Sequence, residues 1–141
     1  MPLIQLTLSY AATVFTLSVI NTSQEPVRIW STSYSSGYDS IYFRIALPNG
    51  RSCLIKRRPV RWTVNVPATI VIPPGQRHVL EMKLNDGAWD LKDCKADSQT
   101  QADVIAILEI ARDQNTDTYG VITGHFESNQ LSVSSLSGIV R

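Results

Sequence analysis

Apolar and polar residues alternate along several short stretches of the chain. Residues 4–9 read Ile-Gln-Leu-Thr-Leu-Ser, in which every second side chain is apolar. The same alternation recurs in residues 15–19, 27–30, 41–47 and 79–84. Successive side chains of a β-strand point to opposite faces, so a stretch with this period has one face for a core and one for water. The pattern therefore predicts half-buried strands, and it directs Trp30 to the face opposite Val27 and Ile29.

Residues that favour tight turns separate these predicted strands. Pro48-Asn49-Gly50 is a hairpin signal because Asn and Gly tolerate a positive φ, and Pro73-Pro74-Gly75-Gln76 indicates a second tight turn. Polar turns are also predicted at residues 21–26 and 85–87, and a longer polar loop at residues 113–117. Turns at about ten-residue spacing, with β-branched stretches between them, are typical of an all-β sandwich or barrel. We expect an antiparallel two-sheet sandwich of about 8–9 strands, with residues 1–141 as a single domain.

One stretch is compatible with both a helix and a strand. The apolar residues of positions 103–112 fit either period: Val104, Ile105, Ile107, Leu108 and Ile110. The isoleucine content, together with a partner-like run at residues 119–128, favours a central strand that is buried on both faces. Between residues 91 and 102 the sequence also permits a short helical turn.

Two turns carry a resemblance to known proteins. Asn21-Thr22-Ser23 followed by Pro26-Val27, and Pro74-Gly75-Gln76 leading into residues 79–82, are similar to bacterial immunoglobulin-like β-sandwich domains. Residues 107–110 and 119–128 look like the last hairpin of such domains. Bacillus-type intracellular proteinase inhibitors share the opening and the Pro-Gly turn, with Glu in the place of Gln76. The resemblance covers about half of the chain and implies an immunoglobulin-like fold and, through the inhibitors, proteinase inhibition.

Composition supports a folded domain and narrows the classes of partner. Hydrophobic residues make up 43% of the 141 residues and charged residues 18%, which is enough apolar surface for a core. The net charge of +1 argues against a protein that coats a polyanion. No stretch reaches the roughly 18 consecutive apolar residues of a membrane span. Residues 1–20 lack the basic start of a signal peptide and contain recurring polar residues, so we interpret them as two strands and expect a cytoplasmic protein.

The two cysteines leave two interpretations open. Cys53 and Cys94 lie 41 positions apart and neither belongs to a Cys-x-x-Cys motif or another metal-like spacing. They form one disulfide if the chain is exported, and they remain two semi-buried thiols if it is not.

Residues that carry catalysis or bind metals are scarce. The chain has no GxSxG motif, no P-loop and no GxGxxG motif. His78 and His125 are interpreted as half-packed strand residues, and His125 shares its face with Glu127 while no carboxylate stands at a ligand spacing. A set of acidic residues has spacings of four, three and four, which do not fit a calcium loop: Asp86, Asp90, Asp93 and Asp97. We therefore predict no catalytic residue, no metal ligand and no cofactor.

Charge is distributed unevenly along the chain. Residues 44–61 contain six basic side chains and no acid, whereas residues 81–117 contain nine acids and four bases. The simplest interpretation is that the two regions neutralise each other across the domain. The alternative is a basic ridge, defined here as residues 56–62, in which a tryptophan stands beside several guanidinium groups. Arg and Trp dominate the hot spots of protein interfaces, and the ridge supplies four candidate binding residues: Arg57, Arg58, Arg61 and Trp62.

A second candidate is a predicted loop at residues 30–39, which is rich in Ser, Tyr and Gly. This composition is typical of adaptable recognition loops, so Tyr34 and Tyr38 are further candidate binding residues. The alternative interpretation is that Trp30 and Tyr38 pack over one end of the sandwich.

These observations favour a non-catalytic module that recognises another protein through end loops and the basic ridge. A proteinase inhibitor on the same scaffold is the first alternative. A metal-dependent carbohydrate-binding or enzymatic module that uses the acidic loop and His125 is the second, and a subunit that associates with itself through strand edges is the third. Nucleic acid is the less favoured partner because only Trp62 accompanies the basic side chains, and no membrane partner is expected.

Overall fold

The computed structural model describes residues 3–48, 50–94 and 101–134. In these ranges the chain forms two short helices and eleven strands. In chain order the elements are β1 (Ile4–Ala11), β2 (Val14–Asn21), β3 (Val27–Trp30), α1 (Ser35–Tyr38), β4 (Ile41–Ala46), β5 (Ser52–Arg57), β6 (Thr69–Ile72), β7 (Arg77–Met82), β8 (Trp89–Asp90), β9 (Ala102–Ile110), α2 (Gln114–Tyr119), β10 (Gly124–Glu127) and β11 (Leu131–Val133).

The strands form three antiparallel sheets in the described part of the chain. The first sheet has the order β1-β2-β7, and the second has the order β10-β9-β4-β5-β8, with β11 paired to the start of β9. The third sheet contains only β3 and β6. The prediction of an all-β protein is therefore confirmed. The strand count exceeds the expected 8–9 because β8 and β11, with two and three residues, are too short to leave an alternating pattern.

Alternation decides which side chains enter the core. In β1, Ile4, Leu6 and Leu8 are buried while the residues between them are exposed, as the sequence predicts. The rings of Phe15 in the first sheet and Phe43 in the second are 5.2 Å apart, and Trp89 extends this contact at 5.3 Å from Phe43. The two larger sheets thus pack face to face in a sandwich-like arrangement over one apolar core.

The ambiguous stretch at residues 103–112 forms β9, which lies between β4 on one side and β10 and β11 on the other. The prediction of a central strand is confirmed, but its predicted burial on both faces is wrong, because Glu109 on the outer face is exposed. Its even-numbered residues, such as Val104 and Leu108, enter the core, and Ile107 on the opposite face is only 1% exposed. Of residues 91–102, where a helical turn was an option, the structure describes a turn at residues 92–94 and the start of β9, and residues 95–100 lie outside the described ranges.

The predicted polar loop at residues 113–117 is wrong, because most of it belongs to α2. The Asp113 side chain accepts a hydrogen bond from the Thr116 backbone N–H at 2.8 Å, and the Thr116 hydroxyl oxygen accepts one from the Asp113 N–H at 2.9 Å. This reciprocal pair is a capping box, which satisfies the free donors at the helix start. Gly120, with φ of 67°, ends the helix in the left-handed conformation that glycine adopts without strain.

Trp30 follows the predicted alternation in β3 but is buried, with 4% exposure. It is opposite Thr69 in the β3–β6 register, on the same face as Arg28. The rings of Tyr34 and Tyr119 lie 4.7 and 5.9 Å from the Trp30 ring and cover it. Residues outside the two larger sheets therefore bury a side chain that strand alternation alone leaves exposed.

Two covalent and polar links fix loops onto the sheets. Cys53 in β5 and Cys94 form a disulfide, which resolves the two interpretations of the cysteine pair. Asn21, fully buried at the end of β2, donates hydrogen bonds from Nδ2 to the carbonyl oxygens of Glu25 and Ile72, both at 2.8 Å. The Asn-Thr-Ser turn is thereby tied to the chain that enters the Pro-Gly turn. No helix among the described residues has the length and apolar character needed to cross a bilayer.

Candidate functional site

Residues 58–68 connect β5 to β6 and are called the strap here. The strap contains no helix or paired strand, with one bend at Thr63. It is attached at both ends. The Arg58 backbone N–H donates to the Ala88 carbonyl at 2.8 Å, and the Arg58 Nε donates to the Trp89 carbonyl at 3.1 Å. Toward the other end, Asn65 Nδ2 donates to the Ser35 hydroxyl at 2.9 Å while its Oδ1 accepts from the Ser35 N–H at 3.0 Å.

Arg57, the last residue of β5, lies between two aromatic rings at the start of the strap. Its guanidinium carbon is 4.8 Å from the centre of the Tyr38 ring and 4.5 Å from the centre of the Trp89 ring. Burial lowers the pKa of this guanidinium from its ordinary value, and its buried Nε has no hydrogen-bond partner. The aromatic faces hold the cation in position by cation–π attraction and leave hydrogen-bonding capacity unused.

The strap packs on α1 through a second aromatic contact. The rings of Trp62 and Tyr38 are 5.7 Å apart and nearly perpendicular, at 83°. The Tyr38 hydroxyl donates a hydrogen bond to the Arg58 carbonyl oxygen at 3.2 Å. The predicted end loop and the predicted basic ridge therefore meet in one surface, called the end surface here, which consists of Tyr38, Arg57, Arg58, Arg61 and Trp62.

The structure separates one predicted binding residue from the others. Tyr34 is 7% exposed, its ring packs on Trp30, and its hydroxyl accepts a hydrogen bond from Asn115 Nδ2 at 3.0 Å. It belongs to the core that supports α1 and has little area to offer a partner. Arg58 and Arg61 are exposed, whereas Tyr38, Arg57 and Trp62 are half-buried.

Asp86 and Asp39 lie close enough to Arg57 to act on it electrostatically, but in the described chain the arginines of the end surface form no direct ion pair. In residues 3–48, 50–94 and 101–134, no carboxylate forms an ion pair with Arg57, Arg58 or Arg61. The acidic region of the chain was expected to neutralise these arginines, but within the described residues it forms no ion pair with them. The surface thus keeps a positive charge available to a ligand or partner.

Sequence reasoning missed a set of exposed apolar side chains beside the end surface. Val60, Val64 and Val66 of the strap are 45%, 71% and 63% exposed. Their signal was present in the alternating order Val-Arg-Trp-Thr-Val-Asn-Val of residues 60–66. The sequence interpretation used the arginines and Trp62 of this segment and did not recognise its valines as exposed apolar area.

A second polar cluster lies on the outer face of the larger sheet. His125 in β10 contacts two carboxylates, with its Nε2 2.8 Å from Glu127 and its Nδ1 3.4 Å from Glu109. Arg44 forms an ion pair with Glu127 at 3.0 Å, and the Tyr42 hydroxyl donates to Glu109 at 2.9 Å. The sequence placed His125 and Glu127 on one face correctly. Sequence spacing did not reveal the contact with Glu109, because Glu109 is brought opposite His125 by the pairing of β10 with β9.

Hydrogen bonds set the protonation of this cluster. The bond with Glu127 raises the pKa of His125, and the bond from Arg44 lowers the pKa of Glu127. The bond from Tyr42 lowers the pKa of Glu109. The carboxylates therefore stay ionised and the imidazole holds its proton to a higher pH than a free histidine does.

Two members of the acidic set of the sequence, Asp86 and Asp90, stabilise local turns through hydrogen bonds to the backbone. Asp86 Oδ1 accepts a hydrogen bond from the Ala88 N–H at 2.9 Å, and Asp90 Oδ1 accepts one from the Lys92 N–H at 3.1 Å. Asp97 lies outside the described residues. Within the described ranges, no group of three or more His, Cys, Asp or Glu side chains is arranged to hold a metal ion.

The structure is that of an all-β protein. At its end surface, the Arg57 guanidinium contacts the rings of Tyr38 and Trp89. Comparison with other proteins adds no identity: no family model and no curated protein matches the sequence.

Proposed function

We propose that the protein is a non-catalytic binding module with an immunoglobulin-like β-sandwich fold that recognises another protein through the end surface. The observation that carries the proposal is the position of Arg57 between Tyr38 and Trp89, with Trp62 packed on the edge of Tyr38. Arg and aromatic side chains dominate the binding energy of protein interfaces. Here they are already fixed in place, so little conformational entropy is lost when a partner binds.

The surrounding residues suit the same purpose. Arg58 and Arg61 form no ion pair within the described chain, and the exposed valines of the strap present apolar area next to them. A combination of a packed aromatic centre with a charged border is the usual anatomy of a protein interface. The expected partner surface is acidic and partly apolar.

Affinity capture from a lysate tests this proposal, with the intact chain compared to the triple variant Arg58→Ala, Arg61→Ala, Trp62→Ala. Arg57 is left in place because it supports the fold at the end of β5. The matched control is Arg77→Ala, Val79→Ala, Arg112→Ala, which removes two exposed arginines and one exposed apolar residue elsewhere. We expect the control to retrieve the same proteins as the intact chain and the triple variant to lose them. Equal capture by all three folded proteins contradicts the proposal.

Proteinase inhibition is a second candidate, favoured by the strap itself. The strap is exposed, unpaired, and attached to the body through Arg58 and Asn65, with Arg61 exposed between these attachments. A segment held in this way is pre-organised to enter a protease cleft. Arg61 would then suit proteases that accept a basic side chain. Assays with trypsin, subtilisin and papain test the candidate: inhibition that Arg61→Ala abolishes supports it, and a lack of inhibition across the panel removes it.

A further inference from the structure

The two-stranded sheet has an open edge on the side of β6 that faces away from β3. Among the described residues, β6 pairs only with β3, and no strand pairs with its second edge. The outer edge of β3 is occupied, since the Ile122 N–H donates to the Arg28 carbonyl at 3.0 Å. The backbone groups along the second edge of β6 are therefore available for pairing.

The sequence of β6 lacks the usual protection of an open edge. Natural edge strands carry charged residues that prevent pairing with another chain. Residues 62–76 contain no charged side chain, and β6 itself reads Thr-Ile-Val-Ile, which is entirely β-branched. By contrast, the open edge strand β7 carries Arg77 and Glu81. The edge strand β1 also lacks charged residues, but its edge is occupied, since Leu6 forms a bridge with Ser128 and the Leu8 N–H donates to Asn129 Oδ1 at 2.7 Å. Among the described residues, β6 therefore combines an uncovered edge with a strand sequence that favours pairing.

Prolines limit the length over which this edge accepts a partner. Pro67 precedes β6 and Pro73 and Pro74 follow it. Proline has no N–H and cannot extend a ladder, so pairing is confined to about the five residues from Ala68 to Ile72. An edge that is open but bounded suits the addition of one short strand.

The side chains on the outer face of β3 and β6 indicate which side chains an added strand would need. Val71 is 45% exposed and is opposite Arg28 in the register, and Arg28 donates a hydrogen bond to the Thr69 hydroxyl at 3.3 Å. No carboxylate in the described ranges forms an ion pair with Arg28. An added strand with apolar side chains beside Val71 and acidic side chains on the side of Arg28 complements the face in shape and charge.

We propose that an extended acidic segment of the partner protein adds to the open edge of β6 as a further antiparallel or parallel strand. This inference rests on the proposed function, because the strap leads from the end surface directly into β6. A second copy of the chain is a poorer occupant, since its β6 carries no acidic side chain that could pair with Arg28. The backbone supplies affinity in this mode, and the alternate side chains supply specificity.

A fluorescent nine-residue peptide in which glutamate and valine alternate is the probe for the chemistry of the added strand. We expect saturable binding below about 1 mM and at least roughly tenfold weaker binding of the lysine–valine counterpart. Methylation of the peptide nitrogens on one set of alternate residues should abolish binding, while methylation of the other set is tolerated, since only one edge of the peptide faces β6. Absence of binding, or equal binding of all peptides, overturns the proposal.

Matched variants separate the edge from the rest of the surface. Val71→Glu places a like charge against the acidic strand, and Val79→Glu is the control because Val79 in β7 is 46% exposed, against 45% for Val71. We expect Val71→Glu to weaken peptide binding about tenfold or more and Val79→Glu to leave it unchanged. Hydrogen exchange of the amides of β6 should slow when the peptide binds. Unchanged exchange means side-chain docking and overturns strand addition.

The same capture experiment distinguishes the two proposals. If the triple variant of the end surface loses the partner while Val71→Glu retains it, the proposed function stands and strand addition is wrong. If neither change affects capture, both are wrong. Sedimentation of the chain alone should give a monomer, and a dimer that Val71→Glu dissociates assigns the edge to a second copy and overturns the partner proposed here.

Discussion

At the scale of single residues, the Asn21 side chain is notable because it forms four hydrogen bonds while fully buried. Its Nδ2 donates to two carbonyl oxygens, and its Oδ1 accepts from the Ser23 N–H at 2.9 Å and from the Ser23 hydroxyl at 2.7 Å. A buried amide with all of its capacity used is stabilising, whereas the same groups without partners are costly. The side chain therefore connects the end of β2, the following turn and the end of β6.

Replacing Asn21 with alanine should lower the free energy of unfolding by about 2–4 kcal/mol, because the carbonyl oxygens of Glu25 and Ile72 then lose their donor. Urea unfolding followed by tryptophan fluorescence measures the change. Thr118→Ala is the control, since it removes one exposed hydroxyl that donates to the Gln114 carbonyl, away from Asn21, and should cost less than about 1 kcal/mol. Equal losses for both variants would show that the buried amide has no special role.

The pKa values of the two histidines should be shifted in opposite directions from the ordinary value of 6.5. The pKa of His125 is raised by its bond with Glu127, and the pKa of His78 is lowered because the ring is partly buried. NMR titration of the two ring protons measures both values, and Glu127→Gln should lower the pKa of His125 while that of His78 stays unchanged. A pKa for His125 at or below that of His78 contradicts the geometry of the cluster.

The sign of the effect on stability follows from these shifts. Because the folded-state pKa of His125 is raised, its contribution is fully present below the unfolded value of 6.5 and is lost as the pH rises through the folded value. The melting temperature of His125→Gln should therefore fall below that of the intact chain by about 1–3 °C at pH 5.5, with a smaller difference at pH 8.5. The ring is largely exposed, and solvent screening keeps the effect small.

At the scale of elements, the sequence predicted the strands whose side chains alternate between the core and water. β1 and β4 follow their apolar period, and β9 was identified from its isoleucines, although its outer face is only partly buried. α2 was missed because Thr116 is its only buried residue, so the helix leaves no apolar periodicity. Its actual signal was the pair Asp113 and Thr116 with Gly120 after the last turn, a capping pattern that apolar periodicity does not reveal.

The disulfide should be a major source of stability for the second sheet. It joins β5 to the turn after β8 across a sequence separation of 41, and a loop of this length contributes about 3–4 kcal/mol in the chain-entropy description. The double variant Cys53→Ala, Cys94→Ala should lose roughly this amount in urea unfolding. Addition of a strong reductant should destabilise the intact chain and leave the double variant unchanged. Equal stability with and without the reductant would contradict the bridge.

At the scale of the whole molecule, one apolar core includes residues from all three sheets. We therefore expect a single cooperative unfolding transition, as small single domains show. Tryptophan fluorescence and far-ultraviolet circular dichroism should give the same urea midpoint, because the whole core unfolds in one step. The comparison is informative because the buried Trp89 and Trp30 lie in different parts of the core. Two separated midpoints would contradict the expectation that residues 1–141 form one domain.

The composition of the end surface was more predictable than its extent. Arg57, Arg58, Arg61 and Trp62 were found from residue type alone, and Tyr38 from the composition of its loop. Tyr34 was assigned to the surface because the sequence does not show that Asn115, 81 positions away, meets its hydroxyl. The open edge of β6 was missed for the same reason, since the presence of a neighbouring strand is decided by distant parts of the chain.

The burial of Asn21 has a consequence for production of the protein in eukaryotic cells. Asn21-Thr22-Ser23 is an acceptor sequence for N-linked glycans. The nitrogen that would carry the sugar is fully enclosed and already donates two hydrogen bonds. An oligosaccharide can therefore be attached only before the turn closes, and its attachment keeps the turn open. Secreted material should divide into a sugar-free native form and a glycosylated form that does not reach the native structure.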